Sequence, residues 1–337
     1  MRIKLKDVLQ TTYLTDGGYY ALYGIPQTLT YGNTVYQKGG QVVHTLRGYM
    51  GDSLFFGGIK AYLQEFGYNY ASTYDLRDFL TSYSGIDLIH FFDAWVFNPG
   101  FPHFSIDSTV SVISKNGYDF TVFVRQKLRG TTEYSNANHL EITFMDNAWR
   151  NFTDTLAFSG IIGHKTFHLP FSPTEVMVDV NEKISDATTD EFKIIQSPGE
   201  YYYPQSFFKL VVEKLTDSAL VRITHNWVAP DSVYLPGSGF QISNSRYWTV
   251  EGILPAGFKA RGEFTYSNSA GIDKWLIKDS KASLVMLYRS GSGQPWKEIS
   301  FTRSGSWTDG EISVDNLKKG QYALAVRDSK YMDREKK

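Results

Sequence analysis

Histidine, cysteine and serine patterns are where hydrolytic or metal chemistry would first show in a sequence. The chain has no cysteine, which excludes thiol catalysis and cysteine-based zinc sites. Among its seven histidines, only His164 and His168 have ligand-like spacing. They fall in a predicted strand, where the two rings would lie ~13 Å apart, so we interpret them as ordinary sheet surface. Neither H-E-x-x-H nor G-x-S-x-G occurs. The sequence therefore contains no recognisable zinc-ligand or serine-nucleophile set.

Charge and hydropathy exclude three further classes of protein. The 34 basic residues nearly balance the 35 acidic ones, so no footprint for nucleic acid is present. A hydrophobic fraction of 42% excludes intrinsic disorder. The longest apolar stretch, residues 86–97, contains two aspartates and is far shorter than the ~20 residues that cross a bilayer. We therefore expect globular domains without a membrane span.

The first part of the chain has the periodicity of helices. Apolar residues recur at helical spacing over 41–50 and 54–66, and Gly67 stands where a terminating glycine is expected. Ser72 and Asp75 match a capping box before another helical run. The Asn-Pro-Gly-Phe-Pro segment at 98–102 then ends helical structure. We predict a helical domain over residues 1–98.

After residue 98 the apolar residues alternate, as in β-strands. Asn116-Gly117 predicts a tight hairpin, and further short strands follow up to about residue 180. A polar stretch over 181–190 and Ser197-Pro198-Gly199 indicate a boundary, beyond which a second β-rich region begins. We therefore predict a small β-sandwich over residues 99–195 and a second, sandwich-like domain over 196–330. The fold class is α+β and multidomain.

One ordered set of motifs in the first part is distinctive. Each motif alone is weak, but the set is specific: Tyr36-Gln37-Lys38-Gly39, Leu46-Arg47, Gly51-Asp52, Trp95-Val96 and Pro99-Gly100-Phe101-Pro102. In this order it resembles the zinc aminopeptidases of the aminopeptidase N type, a group of gluzincin metallopeptidases. The resemblance covers residues 1 to about 180 and departs from the usual pattern at Gly40. It implies the helical end of a thermolysin-like catalytic domain followed by two β-sandwich domains, the last as in some bacterial relatives.

The resemblance assigns a role to one residue, Tyr36. Its phenol would donate a hydrogen bond to the oxyanion that forms during peptide hydrolysis; the alternative is a core tyrosine beside a helix start. His44 is interpreted as structural or close to substrate rather than a ligand. The family's H-E-x-x-H is absent, so we expect Met1 to begin partway through the catalytic domain. Zinc and a peptide substrate then belong to an intact parent, and this chain alone, without metal ligands, is expected to be inactive.

A second function class remains open from the sequence. A degenerate peptidase remnant with two β-sandwiches could be a non-catalytic peptide- or glycan-binding protein. Aromatic clusters such as Tyr201-Tyr202-Tyr203 favour core packing, with a sugar-stacking platform as the alternative. A glycan or a protein is the partner that we consider for the last domain. The absence of cysteine and the β appendage suggest a secreted protein in the periplasm or outside the cell.

Overall fold

The structure is a computed structural model that describes residues 5–231 and 239–327. It divides into two compact units, Met1–Ala187 and Thr188–Lys337. Residues 1 and 330, the predicted outer limits of the helical part and of the last domain, lie outside the described residues. Among the described residues, the first unit contains the α-helices and six strands, whereas the second contains strands and one short 3₁₀ turn at Pro204–Ser206. The α+β class is thus confirmed, and the thermolysin-like relationship of the helices stays a prediction.

The helices occupy the start of the first unit, as the periodicity predicts. Their bounds are α1 Leu5–Asp16, α2 Gly39–Met50, α3 Asp52–Phe66, α4 Thr73–Ser84 and α5 Ile89–Phe92. Three short turns accompany them: a 3₁₀ turn at Gln27–Leu29 and π-helical turns at Thr34–Lys38 and Asp93–Phe97. None of the described helices is both long enough and apolar enough to cross a membrane.

Local sequence signals explain where these helices begin and end. The Ser72 hydroxyl accepts a bond from the Asp75 amide, and the Asp75 carboxylate accepts one from the Ser72 amide, which confirms the capping box of α4. Gly85 ends α4 with a φ of 71°. The prediction for Gly67 is only partly right: Gly67 follows α3 with a φ of −58°, and the left-handed residue is Tyr68.

Six antiparallel strands complete the first unit over its described residues, 5–187. They are β1 Phe101–Ser114, β2 Gly117–Arg129, β3 Asn138–Met145, β4 Asn151–Phe158, β5 Ile162–Leu169 and β6 Glu175–Val178. Two three-stranded sheets result, ordered β1-β2-β5 and β4-β3-β6. Phe144 of β3 packs edge-on against Phe120 of β2 and Phe167 of β5, so the two sheets share a core. This arrangement is compatible with the small sandwich predicted from the sequence.

The predicted hairpin is present, with its loop one residue earlier than the motif suggests. Ser114 pairs with Gly117, so Lys115 and Asn116 form the two-residue loop. Gly117 opens β2 with a φ of 150°. A Cβ atom there would lie 2.1 Å from the carbonyl oxygen of Leu169 in β5, so no side chain fits.

Twelve strands lie in the described residues of the second unit, 188–231 and 239–327. They are β7 Thr188–Ile195, β8 Gly199–Tyr203, β9 Phe208–Lys214, β10 Ala219–Asn226, β11 Phe240–Ile242, β12 Tyr247–Ile253, β13 Lys259–Ser267, β14 Leu284–Arg289, β15 Lys297–Glu298, β16 Thr302–Gly305, β17 Asp309–Val314 and β18 Gly320–Arg327. One sheet runs β15-β14-β18-β12-β10-β7 with β11 on β18, and the other runs β16-β17-β13-β9-β8. Buried residues of both sheets form one cluster, in which Trp248 contacts Phe264.

The segment before residue 196 differs from the sequence analysis. The sequence predicts residues 188–195 at the end of the small sandwich, but they form β7, which pairs along its length with β10 of the second unit. The segment looks polar because one of its two buried positions is Thr189, and the charged residues Asp190, Glu191 and Lys193 lie between it and the other, Ile195. The three-domain division itself, as a statement about independently folding parts, stays a prediction.

Candidate functional site

Tyr36 lies in the middle of the π-helical turn Thr34–Lys38, which continues directly into α2. Its side chain is 60% exposed, and that of Tyr31 is 85% exposed. The two rings stack, with centroids 6.4 Å apart and planes at 21°. An exposed phenol next to a second exposed ring is accessible to a ligand, unlike a tyrosine buried in a core. Its catalytic role stays a prediction.

The start of this turn is held by Asp16, the last residue of α1. The Asp16 Oδ2 atom accepts bonds from the Thr34 amide and the Thr34 hydroxyl, both at 2.7 Å, and Oδ1 accepts one from the Asn33 amide at 3.2 Å. Burial opposes ionisation of Asp16, but the hydrogen bonds from Thr34 and Asn33 outweigh it and hold its pKa below the ordinary value. Sequence reasoning does not find Asp16, because its partners lie 17 and 18 residues away.

Lys38 holds the other end of the same turn. Its side chain is buried, and its ammonium donates to the carbonyl oxygens of Tyr20 at 3.2 Å and Asn98 at 3.4 Å. The nitrogen lies 5.2 Å from the centre of the Phe101 ring. Burial lowers the pKa of Lys38 to about 7. The lysine of the Tyr-x-Lys-Gly motif thus joins three segments that are distant in sequence.

Helix α2 is in turn fixed to the segment after β6. Exposed His44 donates through Nε2 to the carbonyl oxygen of Glu182, at 2.7 Å. The Ser185 hydroxyl donates to Gln41 at 2.6 Å, and the Ser185 amide donates to the Thr45 hydroxyl at 3.0 Å. These contacts favour the structural role for His44 over the position close to substrate, and the interpretation that it is not a ligand stays a prediction.

A bound zinc ion does not fit the residues that the structure describes. Over 5–231 and 239–327, no three His, Asp or Glu side chains lie close enough together to hold a metal ion. His164 and His168 both point to the surface of β5: His164 stacks on Phe123, and His168 pairs with Asp119 at 2.9 Å. We therefore derive no catalytic step through zinc from this structure.

Comparison with known proteins finds similarity in the segment that contains Tyr36. Residues 26–95 match the peptidase family M1 domain. An aminopeptidase N of Lactococcus lactis subsp. lactis is 32% identical over 123 residues, which are 36% of this chain and 13% of that protein. A second aminopeptidase N from that subspecies, of strain IL1403, is 28% identical over 123 residues, or 36% of this chain and 14% of the relative.

A eukaryotic relative matches a shorter stretch. The alanine/arginine aminopeptidase of Saccharomyces cerevisiae is 34% identical over 71 residues, which are 21% of this chain and 8% of that protein. The matches thus span a small part of each relative's own length. Within this chain, the family match contains Tyr36, Lys38 and the helices that follow them. The segment from residue 26 to residue 95 is therefore similar to the peptidase family M1 domain, in agreement with the resemblance of its ordered motifs to the aminopeptidase N type.

Proposed function

We propose that this chain supplies the Tyr36-bearing part of a zinc-dependent aminopeptidase that hydrolyses peptide bonds. One observation supports the proposal most: the tyrosine of the family's Tyr-x-Lys-Gly motif is exposed, on a turn held at both ends by Asp16 and Lys38. A peptide is the proposed substrate. The zinc that such an enzyme needs would be held by residues that are not in this sequence.

The chemistry that Tyr36 offers is that of a neutral hydrogen-bond donor. A phenol O–H binds a carbonyl oxygen weakly in the ground state and more strongly as negative charge develops on that oxygen. A donor that is already in place costs no reorganisation when the charge appears. Loss of one such donor typically raises the barrier by about 3 kcal/mol, or about 100-fold to 1,000-fold in turnover.

The direct test is Tyr36→Phe in the full gene product that contains this chain, with aminoacyl reporter peptides as substrates. The ring is kept, so packing against Tyr31 is preserved while the hydroxyl is removed. We expect kcat to fall at least about 100-fold with KM little altered, because the bond strengthens only in the transition state. Zinc content is expected to stay unchanged, since the tyrosine is proposed as a donor and not as a ligand.

Tyr70→Phe is the matched control, because Tyr70 is fully exposed on the loop after α3 and has no proposed role. Its turnover is expected to equal that of the unmodified protein. Retention of more than half of the turnover by Tyr36→Phe would overturn the assignment. A full gene product that binds peptides without cleaving them would favour the binding-protein alternative.

The chain by itself is proposed to be inactive. A catalytic zinc site needs three protein ligands, and the sequence has no H-E-x-x-H that would supply two of them. After incubation with zinc and desalting, elemental analysis is expected to find no stoichiometric metal, and reporter cleavage is expected to stay at background. One tightly held zinc per chain together with chelator-sensitive cleavage would contradict this proposal.

We also propose an exported location, supported by the absence of cysteine from the sequence. Fractionation of the source cells, followed by detection with an antibody against this chain, is the test. Recovery in the cytoplasmic fraction alone would overturn the proposal.

A further inference from the structure

We infer that Asp16 is a positioning residue for Tyr36, and that its carboxylate, rather than its bulk, fixes the turn that presents the phenol. The consequence for catalysis rests on the function proposed above. The placement itself can be measured without any catalysis. Nothing in the motif that contains Tyr36 points to Asp16, which lies on a separate helix.

The turn that presents Tyr36 has no local cap of its own. Asn33 stands at the capping position, but its side chain makes no capping bond. Helix starts normally have their free amides satisfied by a side chain within the same segment. Here Asp16 replaces that side chain from α1 by accepting from the amides of Asn33 and Thr34. The start of the turn therefore depends on a tertiary contact.

Thr34 is held on both sides, and Tyr36 follows it by two residues. On one side, the Thr34 amide and hydroxyl donate to Asp16. On the other, the Thr34 carbonyl accepts from the Gly39 amide, which also donates to the carbonyl of Tyr36. A displacement of Thr34 would therefore be transmitted to the backbone of Tyr36 and to the direction of its ring.

A second connection between α1 and the turn runs through the side chain of Asn33. Thr15, beside Asp16, accepts a bond from the Asn33 amide side chain, and Asn33 accepts one from Gln37 at 2.9 Å. Gln37 adjoins Tyr36 in the chain. The end of α1 thus contacts Asn33 at the start of the turn, and Asn33 links that contact to the residue next to the tyrosine.

Residue 16 needs a side chain whose two terminal atoms both accept hydrogen bonds. The groups that bond to Asp16 are donors: the two amides of Asn33 and Thr34, and the hydroxyls of Thr34 and Thr15. Asparagine has nearly the same volume but one acceptor oxygen, so its NH₂ group would face a backbone N–H. Asp16→Asn therefore tests the carboxylate while keeping the bulk.

Gly32 supplies an independent observation, since its missing side chain leaves room for the carboxylate. A Cβ atom at Gly32 would lie 3.1 Å from Asp16 Oδ1 and 3.0 Å from the carbonyl oxygen of Leu29. Both are tighter than ordinary van der Waals contacts, so the carboxylate would have to move. Gly32→Ala is thus expected to disturb Tyr36 in the same way as Asp16→Asn, with no change of charge.

The experiment uses the full chain with 3-fluorotyrosine introduced at position 36. Fluorine NMR reports the environment of the ring, which includes its stack on Tyr31. Amide hydrogen exchange reports the bonds to Asp16. In Asp16→Asn we expect the Asn33 and Thr34 amides to exchange about tenfold faster, because one to two acceptor bonds are lost. The fluorine resonance is expected to shift or broaden.

Asp75→Asn is the matched control, because Asp75 caps α4 through Ser72 and the same substitution removes a cap away from this turn. It is expected to speed exchange at the start of α4 and to leave the resonance of position 36 unmoved. A general loss of stability would instead move that signal in both variants, which would count against positioning.

The inference is overturned if Asp16→Asn leaves the position-36 resonance unchanged and the Asn33 and Thr34 exchange rates within about twofold of the original. If Asp16→Asn fails to fold, Gly32→Ala becomes the deciding variant. An unchanged position-36 resonance in folded Gly32→Ala would then overturn the inference. The proposed function fails separately: an active Tyr36→Phe enzyme would remove the catalytic role of Tyr36, whereas a displaced ring in Asp16→Asn would still establish positioning.

Discussion

Lys38 is the residue whose burial has the clearest consequence for stability. Its amine has a pKa of about 7 in the folded chain, against 10.5 when unperturbed, because it is withdrawn from water. Below pH 7 the Lys38 amine is protonated in both the folded and the unfolded chain. The folded chain then bears the whole free-energy cost of burying that charge. Between these two pKa values, about 7 and 10.5, the unfolded chain binds more protons than the folded one. The free energy of unfolding therefore rises with pH in this range.

We predict that Lys38→Met abolishes this rise. The free energy of unfolding of the original chain should increase between pH 7 and pH 10, by at most about 1.4 kcal/mol per pH unit from this group. Urea denaturation at several pH values gives the slope of the free energy of unfolding against pH for the original chain and for Lys38→Met. Lys60→Met, which changes an exposed lysine of α3, should keep the original slope. Equal slopes for Lys38→Met and the original chain would show that Lys38 stays charged in the fold.

Among the elements, the β1–β2 hairpin depends on one close approach between strands. Gly117→Ala would push a Cβ atom to 2.1 Å from the Leu169 carbonyl, at a φ that side chains rarely adopt. Because β1, β2 and β5 are bonded into one sheet, the backbone has little freedom to retreat. We expect the free energy of unfolding to fall by about 3 kcal/mol, from overpacking together with backbone strain.

Gly160→Ala separates these two contributions. Gly160 also has a positive φ, but nothing lies within 4 Å of the place that an added Cβ atom would occupy. Its substitution should therefore cost only the backbone term, about 1 kcal/mol. Urea denaturation of both variants measures the difference. Equal losses would mean that the sheet yields at Gly117 and that the contact with Leu169 does not decide the hairpin.

For the whole molecule, the position of the division between the two units is open to experiment. The Trp227 indole donates to the Thr189 hydroxyl at 3.1 Å, the Ser206 hydroxyl donates to the Thr189 carbonyl at 3.1 Å, and Ile195 is fully buried. A piece comprising residues 196–337 lacks all of these, because it lacks β7. A piece comprising residues 188–337 keeps them.

We therefore predict that residues 188–337 melt at a higher temperature than residues 196–337. Removal of a paired strand with a buried Ile should cost at least about 3 kcal/mol, or roughly 10 °C in Tm. Circular dichroism melts of the two purified pieces make the comparison. Equal melting temperatures would support the boundary at 195/196 that the sequence predicts.

Features that depend on neighbours in sequence can be predicted without the structure. The Ser72–Asp75 capping box, the Gly85 terminus and the hairpin after residue 114 follow from bonds between residues a few positions apart. Strands from β3 onward are predictable wherever apolar residues alternate. By the same logic, the sequence does not assign β7 to the second unit, because its two buried positions, Thr189 and Ile195, are separated by charged residues and one of them is polar. Local pattern predicts an element reliably only when burial and local polarity agree.

The order of residues along the chain is enough to assign Tyr36 and Lys38 to an aminopeptidase N-type motif, because the residues that define the motif are adjacent or follow in a fixed order. It is not enough to say how Tyr36 is held or what Lys38 contacts. Those contacts depend on Asp16, Tyr20 and Asn98, which approach only when α1 and the loops fold against the turn. Hydrogen bonds across 17 to 60 residues leave no spacing rule in a sequence, so they become visible only in the folded chain.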